Sequence, residues 1–314
     1  ESRPSSAPAS FEPGASAVRG FLQDVTNHSD YREQICHIET FPERPSRFAS
    51  VESLVDHAGM PLISEGTVTA LRDQMGIQRL YAHQHASLQA VMSERRHLCL
   101  TTGTSSGKSL AFAVPILEAF QRDPSARALV IFPTKALAQD QLAKLQSFFR
   151  AVCPSMRVCT FDGDTPKMDR PALMKDAHVF LTNPDMLHFT ILSGHGRWKH
   201  ILSGLKYVVL DEAHIYRAAF GTQVALLMRR FRRVLAHYGA TPLFVACSAT
   251  MSNADAFFRQ LLALDESERV SVVDDDAAGR GERKFCLWNP PVEDTPRERN
   301  KAKRQRIDGK QAGG

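Results

Sequence analysis

The sequence predicts an α/β fold in which a mainly parallel sheet lies between two layers of helices. Short apolar runs recur from residue 97 to residue 247, and their length and branched residues are typical of strands buried on both faces. The segments between these runs have helical spacing. Because strands that alternate with helices are joined by crossover connections, the sheet is expected to be parallel.

Six runs are predicted as strands: 97–102, 128–132, 156–161, 177–182, 206–210 and 242–247. The clearest helix is 221–238, with one apolar stripe formed by Val224, Leu227, Met228, Phe231, Leu235 and Tyr238. In parallel sheets of this kind, ligands bind beyond the carboxyl ends of the strands. The residues directly after each run are therefore the candidates for function.

The two ends of the chain differ in composition from the middle. Residues 1–20 are rich in Ser, Pro, Ala and Gly, and we expect a mostly disordered leader over residues 1–45. The main domain is predicted over 46–290 and a basic, disordered tail over 291–314. The segment from Arg280 onward holds ten Lys/Arg and five Asp/Glu and so carries the whole formal charge of +5. Charge alone therefore does not predict nucleic-acid binding by the main domain.

Composition argues against a membrane protein and against a secreted one. No apolar run approaches the length that spans a bilayer, and the N-terminus has no signal-peptide pattern. The six cysteines contain no C-x-x-C pair, which argues against a zinc site and for reduced thiols. We expect an intracellular protein without a membrane partner, in the nucleus of a eukaryote or otherwise in the cytoplasm.

The loop after the first strand, "TGTSSGKS" at 102–109, nearly matches the P-loop pattern G-x-x-x-x-G-K-[ST]. Its backbone N–H groups would surround the phosphates of ATP, Lys108 would reach the β- and γ-phosphates, and the Ser109 hydroxyl would bind Mg²⁺. The alternative is a chance serine-rich loop. Ser105 is expected at a negative φ. The candidate nucleotide contacts are Thr102, Gly103, Thr104, Ser105, Ser106, Gly107, Lys108 and Ser109.

Two further motifs follow the fifth and sixth strands. In "DEAH" (211–214), Asp211 is predicted to hold Mg²⁺ and Glu212 to orient or deprotonate the attacking water, with His214 as a further catalytic candidate. In "SAT" (248–250), the candidates are Ser248 and Thr250. Either motif alone is also compatible with simple helix capping. Their order after the P-loop is what favours a catalytic role.

In that order the chain resembles the first RecA-like motor domain of superfamily 2 helicases of the DEAD/DEAH type. "PTKALAQDQ" (133–141) is similar to their motif Ia, "TNPDMLH" (182–188) to motif Ib, and "LYAHQ" (80–84) to their glutamine motif. The resemblance to the RecQ-related Hrq-type helicases is finer and includes "FDGDTP" (161–166) and "WNPP" (288–291). It implies a three-layer RecA-like fold with a helical N-terminal extension.

The resemblance also implies roles for side chains. Gln84 would bind the adenine edge and Tyr81 would stack on the base; the alternative is a surface glutamine and a core tyrosine. Contacts to nucleic-acid phosphates are expected at strand ends, where helix capping is again an alternative. These candidates are Pro133, Thr134, Lys135, Gly163, Thr165, Thr182 and Asn183.

The implied parent function is ATP-dependent unwinding of nucleic acid, DNA rather than RNA, with 3′–5′ polarity and a role in DNA repair. ATP and Mg²⁺ are the implied cofactors. Such motors need a second RecA-like domain, in cis or in trans, that supplies an arginine finger, and only 23 residues follow "WNPP". We therefore expect weak activity of this chain alone. The alternatives are a non-catalytic adaptor that binds nucleic acid or protein, and a different P-loop class such as a small-molecule kinase.

Overall fold

The computed structural model describes residues 15–290, which divide into two compact units. The larger unit spans residues 46–278, and the smaller one combines the described residues before it with residues 279–290. Residues 1–14 and the predicted tail at 291–314 lie outside the described residues.

The helices and strands have the following bounds. The helices are α1 Ala15–Asn27, α2 Glu65–Met75, α3 Ala82–Leu88, α4 Leu110–Arg122, α5 Lys135–Val152, α6 Arg170–Asp176, α7 Pro184–Met186, α8 Lys199–Ser203, α9 Ala218–His237 and α10 Ala254–Leu262. The strands are β1 Ile35–Phe41, β2 Phe48–Ala49, β3 Leu80–Tyr81, β4 His97–Thr101, β5 Arg127–Ile131, β6 Val158–Thr160, β7 Val179–Thr182, β8 Leu205–Leu210, β9 Leu243–Ser248, β10 Val270–Val273 and β11 Arg283–Trp288. Short π-helical segments continue α3 (Gln89–Ser93) and α7 (Leu187–Leu192).

The smaller unit is a two-stranded antiparallel ribbon with helix α1. Ile35 of β1 pairs with Trp288 of β11, and Phe41 pairs with Arg283. Regular structure therefore begins at residue 15, inside the range expected to be a mostly disordered leader. The sequence signal is weak because β1 mixes polar and apolar residues and its partner lies at the far end of the described chain. For the same reason residues 279–290 group with this unit and not with the main domain.

The larger unit contains a seven-stranded parallel sheet in the order β10-β4-β9-β8-β5-β7-β6. All six strands predicted from the sequence are confirmed, and with them the α/β fold with a parallel sheet. The seventh strand, β10, was not predicted because it is a short apolar run followed directly by three aspartates. It adds to the edge of the sheet beside β4.

Both faces of this sheet are buried. Along β4, Leu98 and Leu100 belong to the apolar core under α2 to α5, while Cys99 between them belongs to the core under α7 to α10. Complete burial of a large apolar side chain contributes about 1.5–3 kcal/mol, so a strand covered on both faces needs apolar residues at every position. The continuous apolar runs in the sequence follow from this. The predicted helix 221–238 is confirmed as α9, and its buried stripe packs in the second core.

The structure also describes the state of the cysteines and the character of the helices. All six cysteines are free thiols, and burial raises the pKa of Cys99 and of Cys159 to about 12, which makes both thiols unreactive. Among the described helices, none has the length and apolar character needed to cross a bilayer.

Candidate functional site

The loop 102–109 connects β4 to α4 at the carboxyl edge of the sheet. Two of its residues adopt positive φ, Gly107 at +76° and Ser105 at +61°. The expectation of a negative φ for Ser105 is therefore wrong. This turn requires a left-handed residue at that position, and serine adopts it at a cost of about 1–2 kcal/mol, because its Cβ crowds the following carbonyl.

Hydrogen bonds within the loop fix its shape. The Lys108 ammonium is buried and donates to the carbonyl oxygens of Thr102 (3.2 Å) and Gly103 (2.8 Å). The Ser106 hydroxyl donates to the Gly103 carbonyl oxygen at 2.8 Å and lies 2.7 Å from the Thr102 hydroxyl oxygen. Thr102 stands where the strict pattern has glycine, and its side chain is fully buried as a partner of the loop. The departure from the pattern is thus accommodated inside the loop.

Asp211 follows β8 directly and is buried. Burial raises the pKa of its carboxyl group to about 6, although the Glu212 backbone N–H, which donates to Oδ1 at 2.9 Å, favours the ionised form. Glu212 itself adopts a φ of +50°. A buried carboxylate with few groups that stabilise its ionised form is suited to bind a cation, because a nearby positive charge offsets the cost of ionisation.

His214 connects the "DEAH" segment with the "SAT" segment. Its Nδ1 atom lies 3.3 Å from the Ala249 backbone nitrogen and 3.3 Å from Glu212 Oε2. A ring without a proton on Nδ1 accepts from Ala249, whereas a ring protonated there donates to Glu212 instead. The Ser248 hydroxyl donates to the Ala249 carbonyl oxygen at 2.8 Å, and Thr250 is exposed. The two motifs are therefore in direct contact beyond the neighbouring strands β8 and β9.

The two predicted Mg²⁺ ligands fit that ion chemically. The Ser109 hydroxyl makes no cap hydrogen bond at the start of α4, and Asp211 supplies a carboxylate. The part of the chain that the structure describes contains no group of three or more His, Cys, Asp or Glu side chains able to hold a metal. Mg²⁺ commonly binds through one or two protein oxygens together with substrate phosphates and water, so the small donor set is compatible with it.

The glutamine motif lines a cavity of about 280 Å³ beside the P-loop. Gln84 accepts from the Tyr81 backbone N–H at 2.9 Å and donates to the Gly107 carbonyl oxygen at 3.0 Å, so its amide spans from α3 to the loop. The Tyr81 ring stacks on Phe48, with centroids 5.2 Å apart, and Arg79 lies over Phe48 at 4.3 Å. The cavity thus offers aromatic walls and one cation, which suits a planar base.

The predicted nucleic-acid contacts meet at the carboxyl ends of the neighbouring strands β5, β7 and β6. Lys135 at the start of α5 forms an ion pair with Asp164 at 2.8 Å, next to Gly163. Pro133 is half-buried and Thr134 exposed just before it, and the Thr134 hydroxyl caps α5 by accepting from the Leu137 N–H. Thr165 accepts from the Asp162 N–H at 2.9 Å.

Thr182 and Asn183 also use their side chains within the fold. The Thr182 hydroxyl is buried and donates to the Phe161 carbonyl oxygen at 2.7 Å. Asn183 caps α7, because its Oδ1 accepts from the Met186 N–H at 2.9 Å. The capping interpretation therefore holds for Asn183 and for Thr134.

The comparisons with known proteins agree with this geometry. Residues 81–257, more than half of the chain, match the model of the DEAD/DEAH box helicase family. The chain belongs to this family. It is 35% identical over 285 residues to the ATP-dependent helicase hrq1 of Schizosaccharomyces pombe, covering 89% of this chain and 26% of that protein. It is 38% identical over 237 residues to the ATP-dependent helicase YprA of Bacillus subtilis, covering 76% of this chain and 31% of that protein.

A solved structure supports the same assignment for this helicase domain. The crystal structure of the DUF1998 helicase MrfA bound to DNA and AMPPNP superposes with a TM-score of 0.78 at 33% identity, over 90% of this chain and 37% of MrfA. The RecA-like fold and the Hrq-type resemblance are thus confirmed, and the small-molecule kinase alternative is excluded. The chain spans about a quarter to a third of the length of the two relatives named above.

Three residues near the site were not found from the sequence: Phe48, His83 and Asp276. Phe48 is a single aromatic residue without a motif around it. His83 stands directly before Gln84, and Asp276 closes a run of three aspartates after β10. The available signals were the position of His83 beside a motif and the position of Asp276 after a strand. The hydrogen-bond partners of these two residues lie too far along the chain to be inferred from spacing.

Proposed function

We propose that this chain is the ATP-binding part of a motor that couples ATP hydrolysis to movement along nucleic acid and to strand unwinding. The chief support is that loop 102–109, "DEAH" and "SAT" all follow strands that are neighbours in the sheet, β4, β9 and β8. The His214–Ala249 contact, which joins two of these segments, supports it further. If these segments only capped helices, nothing would favour their position after three neighbouring strands of the sheet.

In this proposal each residue has a distinct role. Lys108 exchanges its two loop carbonyls for the β- and γ-phosphates, and Ser109 and Asp211 hold Mg²⁺. Mg²⁺, when bound, neutralises charge on the phosphate oxygens. Glu212 orients or deprotonates the attacking water. Tyr81 and Gln84 bind the base from the cavity beside the loop.

We further propose that a second RecA-like domain, in cis or in trans, completes this site. Thr104, Ser105 and Thr250 are exposed at the nucleotide edge of this domain, so a partner can approach there. An arginine finger from such a domain typically contributes about 10³–10⁵ in rate. The matched relatives have room for such a domain, since they are several times longer than the aligned region.

DNA is the proposed substrate, with 3′–5′ movement and a role in DNA repair. The support is the Hrq-type motifs and the likeness to MrfA, which was solved bound to DNA. The matched structures solved with RNA are only 16–21% identical to this chain and bear on the fold alone. Thr134, Lys135 and the backbone around Gly163 are the proposed phosphate contacts. Such a protein would act in the nucleus of a eukaryote or otherwise in the cytoplasm.

The nucleotide site can be tested by titrating a fluorescent ATP analogue into the chain with Mg²⁺. Lys108→Ala is expected to abolish saturable binding, whereas Lys144→Ala, an exposed lysine of α5, leaves it unchanged. Equal binding by wild type and Lys108→Ala would disprove the nucleotide site. ATP hydrolysis is then measured with single-stranded DNA after a second RecA-like domain is added. Restored turnover supports the motor; DNA binding without any turnover supports the adaptor alternative.

Substrate and direction need a protein that contains both motor domains. Duplexes with a 3′ or a 5′ single-stranded overhang, made of DNA or of RNA, separate the possibilities. We expect unwinding of the 3′-tailed DNA. Preference for the RNA duplex, or for the 5′ tail, would contradict the corresponding part of the proposal.

A further inference from the structure

We propose that His83 and Asp276 are positioning residues that hold the P-loop in its phosphate-binding shape from behind. His83 stands inside "LYAHQ" (80–84) but has no role assigned above, Asp276 lies after residue 257 where the family match ends, and both are almost fully buried. The inference rests on the proposed role of loop 102–109 in binding the phosphates of ATP.

His83 forms a hydrogen bond with the middle of the loop. Its Nε2 atom lies 2.9 Å from the Ser106 carbonyl oxygen, and its Nδ1 atom lies 3.1 Å from the Ala277 backbone nitrogen. Because the Ala277 N–H can only donate, Nδ1 must be the acceptor and the ring proton is on Nε2. Burial lowers the pKa of this imidazole, so the ring is neutral at physiological pH and donates to Ser106.

Asp276 anchors the beginning of the loop. Its Oδ2 atom accepts from the Gly103 N–H at 3.1 Å, and its Oδ1 atom accepts from the Ala278 N–H at 3.0 Å. Gly103 is also the residue whose carbonyl oxygen receives the Lys108 ammonium. The Gly103 N–H shares its peptide group with the Thr102 carbonyl oxygen, which also accepts from the Lys108 ammonium at 3.2 Å, so the carboxylate fixes one of the two carbonyls that hold the lysine.

The same segment is bonded to the wall of the base cavity. The Ala277 carbonyl oxygen accepts from the Arg47 N–H at 2.9 Å, and the Arg47 carbonyl oxygen accepts from the Ala82 N–H at 2.9 Å. Arg47 directly precedes Phe48, which stacks on Tyr81. One short segment after β10 is thus bonded both to the phosphate loop and to the strand that carries the aromatic wall.

His83 and Asp276 do more than fill space in the core, because they hold the backbone on both sides of Ser105. Ser105 holds a strained φ of +61° between the two anchored residues, Gly103 and Ser106. Loss of either anchor lets the loop relax toward a conformation in which its N–H groups no longer converge on a phosphate. Nucleotide affinity should then fall even in a protein that remains folded.

Two replacements of His83 separate its two hydrogen bonds. Glutamine reaches as far as Nε2 and keeps a donor for Ser106, whereas asparagine keeps an acceptor for Ala277 at the Nδ1 position. Each variant leaves one buried partner unpaired, so both should lower the unfolding temperature to a similar extent. Only His83→Asn should weaken binding of the fluorescent ATP analogue, by about tenfold, with His83→Gln within about twofold of wild type.

Asp276→Asn should also weaken nucleotide binding severalfold, because an amide offers one acceptor oxygen for two N–H groups. The matched controls are His85→Asn, on the same helix but bonded to Ser53, and Asp274→Asn, exposed in the same aspartate run; both should bind as wild type does. Hydrogen exchange of residues 103–107 should accelerate in His83→Asn and not in His83→Gln.

The outcomes separate this inference from the proposed function. If the wild-type chain does not bind the analogue, the nucleotide site itself fails. If the wild type binds but His83→Asn and His83→Gln lose affinity equally, or neither loses it, the nucleotide site stands and the positioning role is overturned. Stronger loss in His83→Gln than in His83→Asn would overturn it as well.

Discussion

Replacing Ser105 by glycine should stabilise this domain. Ser105 has a φ of +61°, and a residue with a Cβ pays about 1–2 kcal/mol for that conformation. Glycine avoids this cost but has more conformational freedom in the unfolded chain, which opposes the gain by about 0.5–1 kcal/mol. The free energy of unfolding should therefore rise by about 0.5–1 kcal/mol, which for a domain of this size corresponds to roughly 1–4 °C in Tm.

The assay is thermal and urea unfolding of the wild type, Ser105→Gly and Ser105→Ala. Alanine removes the exposed hydroxyl and keeps the Cβ, so it should leave Tm close to that of the wild type. If alanine stabilised the protein as much as glycine did, the hydroxyl and not the backbone would be responsible. A Tm of Ser105→Gly below that of the wild type would refute the reasoning outright, because it would mean that the turn does not strain the serine.

Three further substitutions test other parts of the site. Asp211→Asn should raise the free energy of unfolding by about 1–3 kcal/mol at pH 8. Burial raises the pKa of the Asp211 carboxyl to about 6 in the folded state, above its value of about 4 in the unfolded chain, so the wild type loses stability as the pH rises between these two values; in urea titrations the gain should vanish toward pH 4. Tyr216→Phe should raise Tm, since the buried Tyr216 hydroxyl has no hydrogen-bond partner among the described residues; a clear loss of stability would contradict this. Arg232→Lys should lower the free energy of unfolding by about 1–2 kcal/mol, because both Glu268 carboxylate oxygens lie 2.8 Å from the Arg232 guanidinium and lysine cannot form the same pair; unchanged urea unfolding would show that the pair adds nothing.

The arginine cluster on α9 shows how a sequence pattern can be interpreted correctly for some members and not for others. In the sequence, Arg229, Arg230, Arg232 and Arg233 form a basic cluster, and the favoured interpretation is a solvated face opposite the apolar stripe. Arg229 and Arg233 are indeed exposed, whereas Arg230 is half-buried and donates to the Leu192 carbonyl oxygen at 3.4 Å. Arg232, however, is half-buried against Glu268 and also donates to the Ala263 carbonyl oxygen at the end of α10. Helical periodicity predicts the direction in which a side chain points, but it does not predict which residues of other elements lie next to that side chain.

The sheet and the positions of the motifs were predictable because each depends on local sequence. A strand buried on both faces is a continuous apolar run, and a site residue at its carboxyl end follows that run directly. The residues behind the P-loop were not predictable, because Asp276 bonds to Gly103 across most of the domain. The φ of Ser105 was also missed, because the motif gives the residue type at this position and not the backbone conformation of the turn.

The β1–β11 ribbon bears on the order in which this protein folds. Chains emerge from the ribosome at about 5–20 residues per second, so β1 is made roughly 10–50 s before Trp288, the partner of its first residue. Every strand of the seven-stranded sheet is complete before that time. The parallel sheet can thus assemble first, while the backbone N–H and C=O groups of β1 lack their β11 partners until the last strand appears. A ribosome-bound chain stopped before residue 283 should contain a folded parallel sheet and a β1 without its partner strand, whose backbone is then open to pairing with another extended segment.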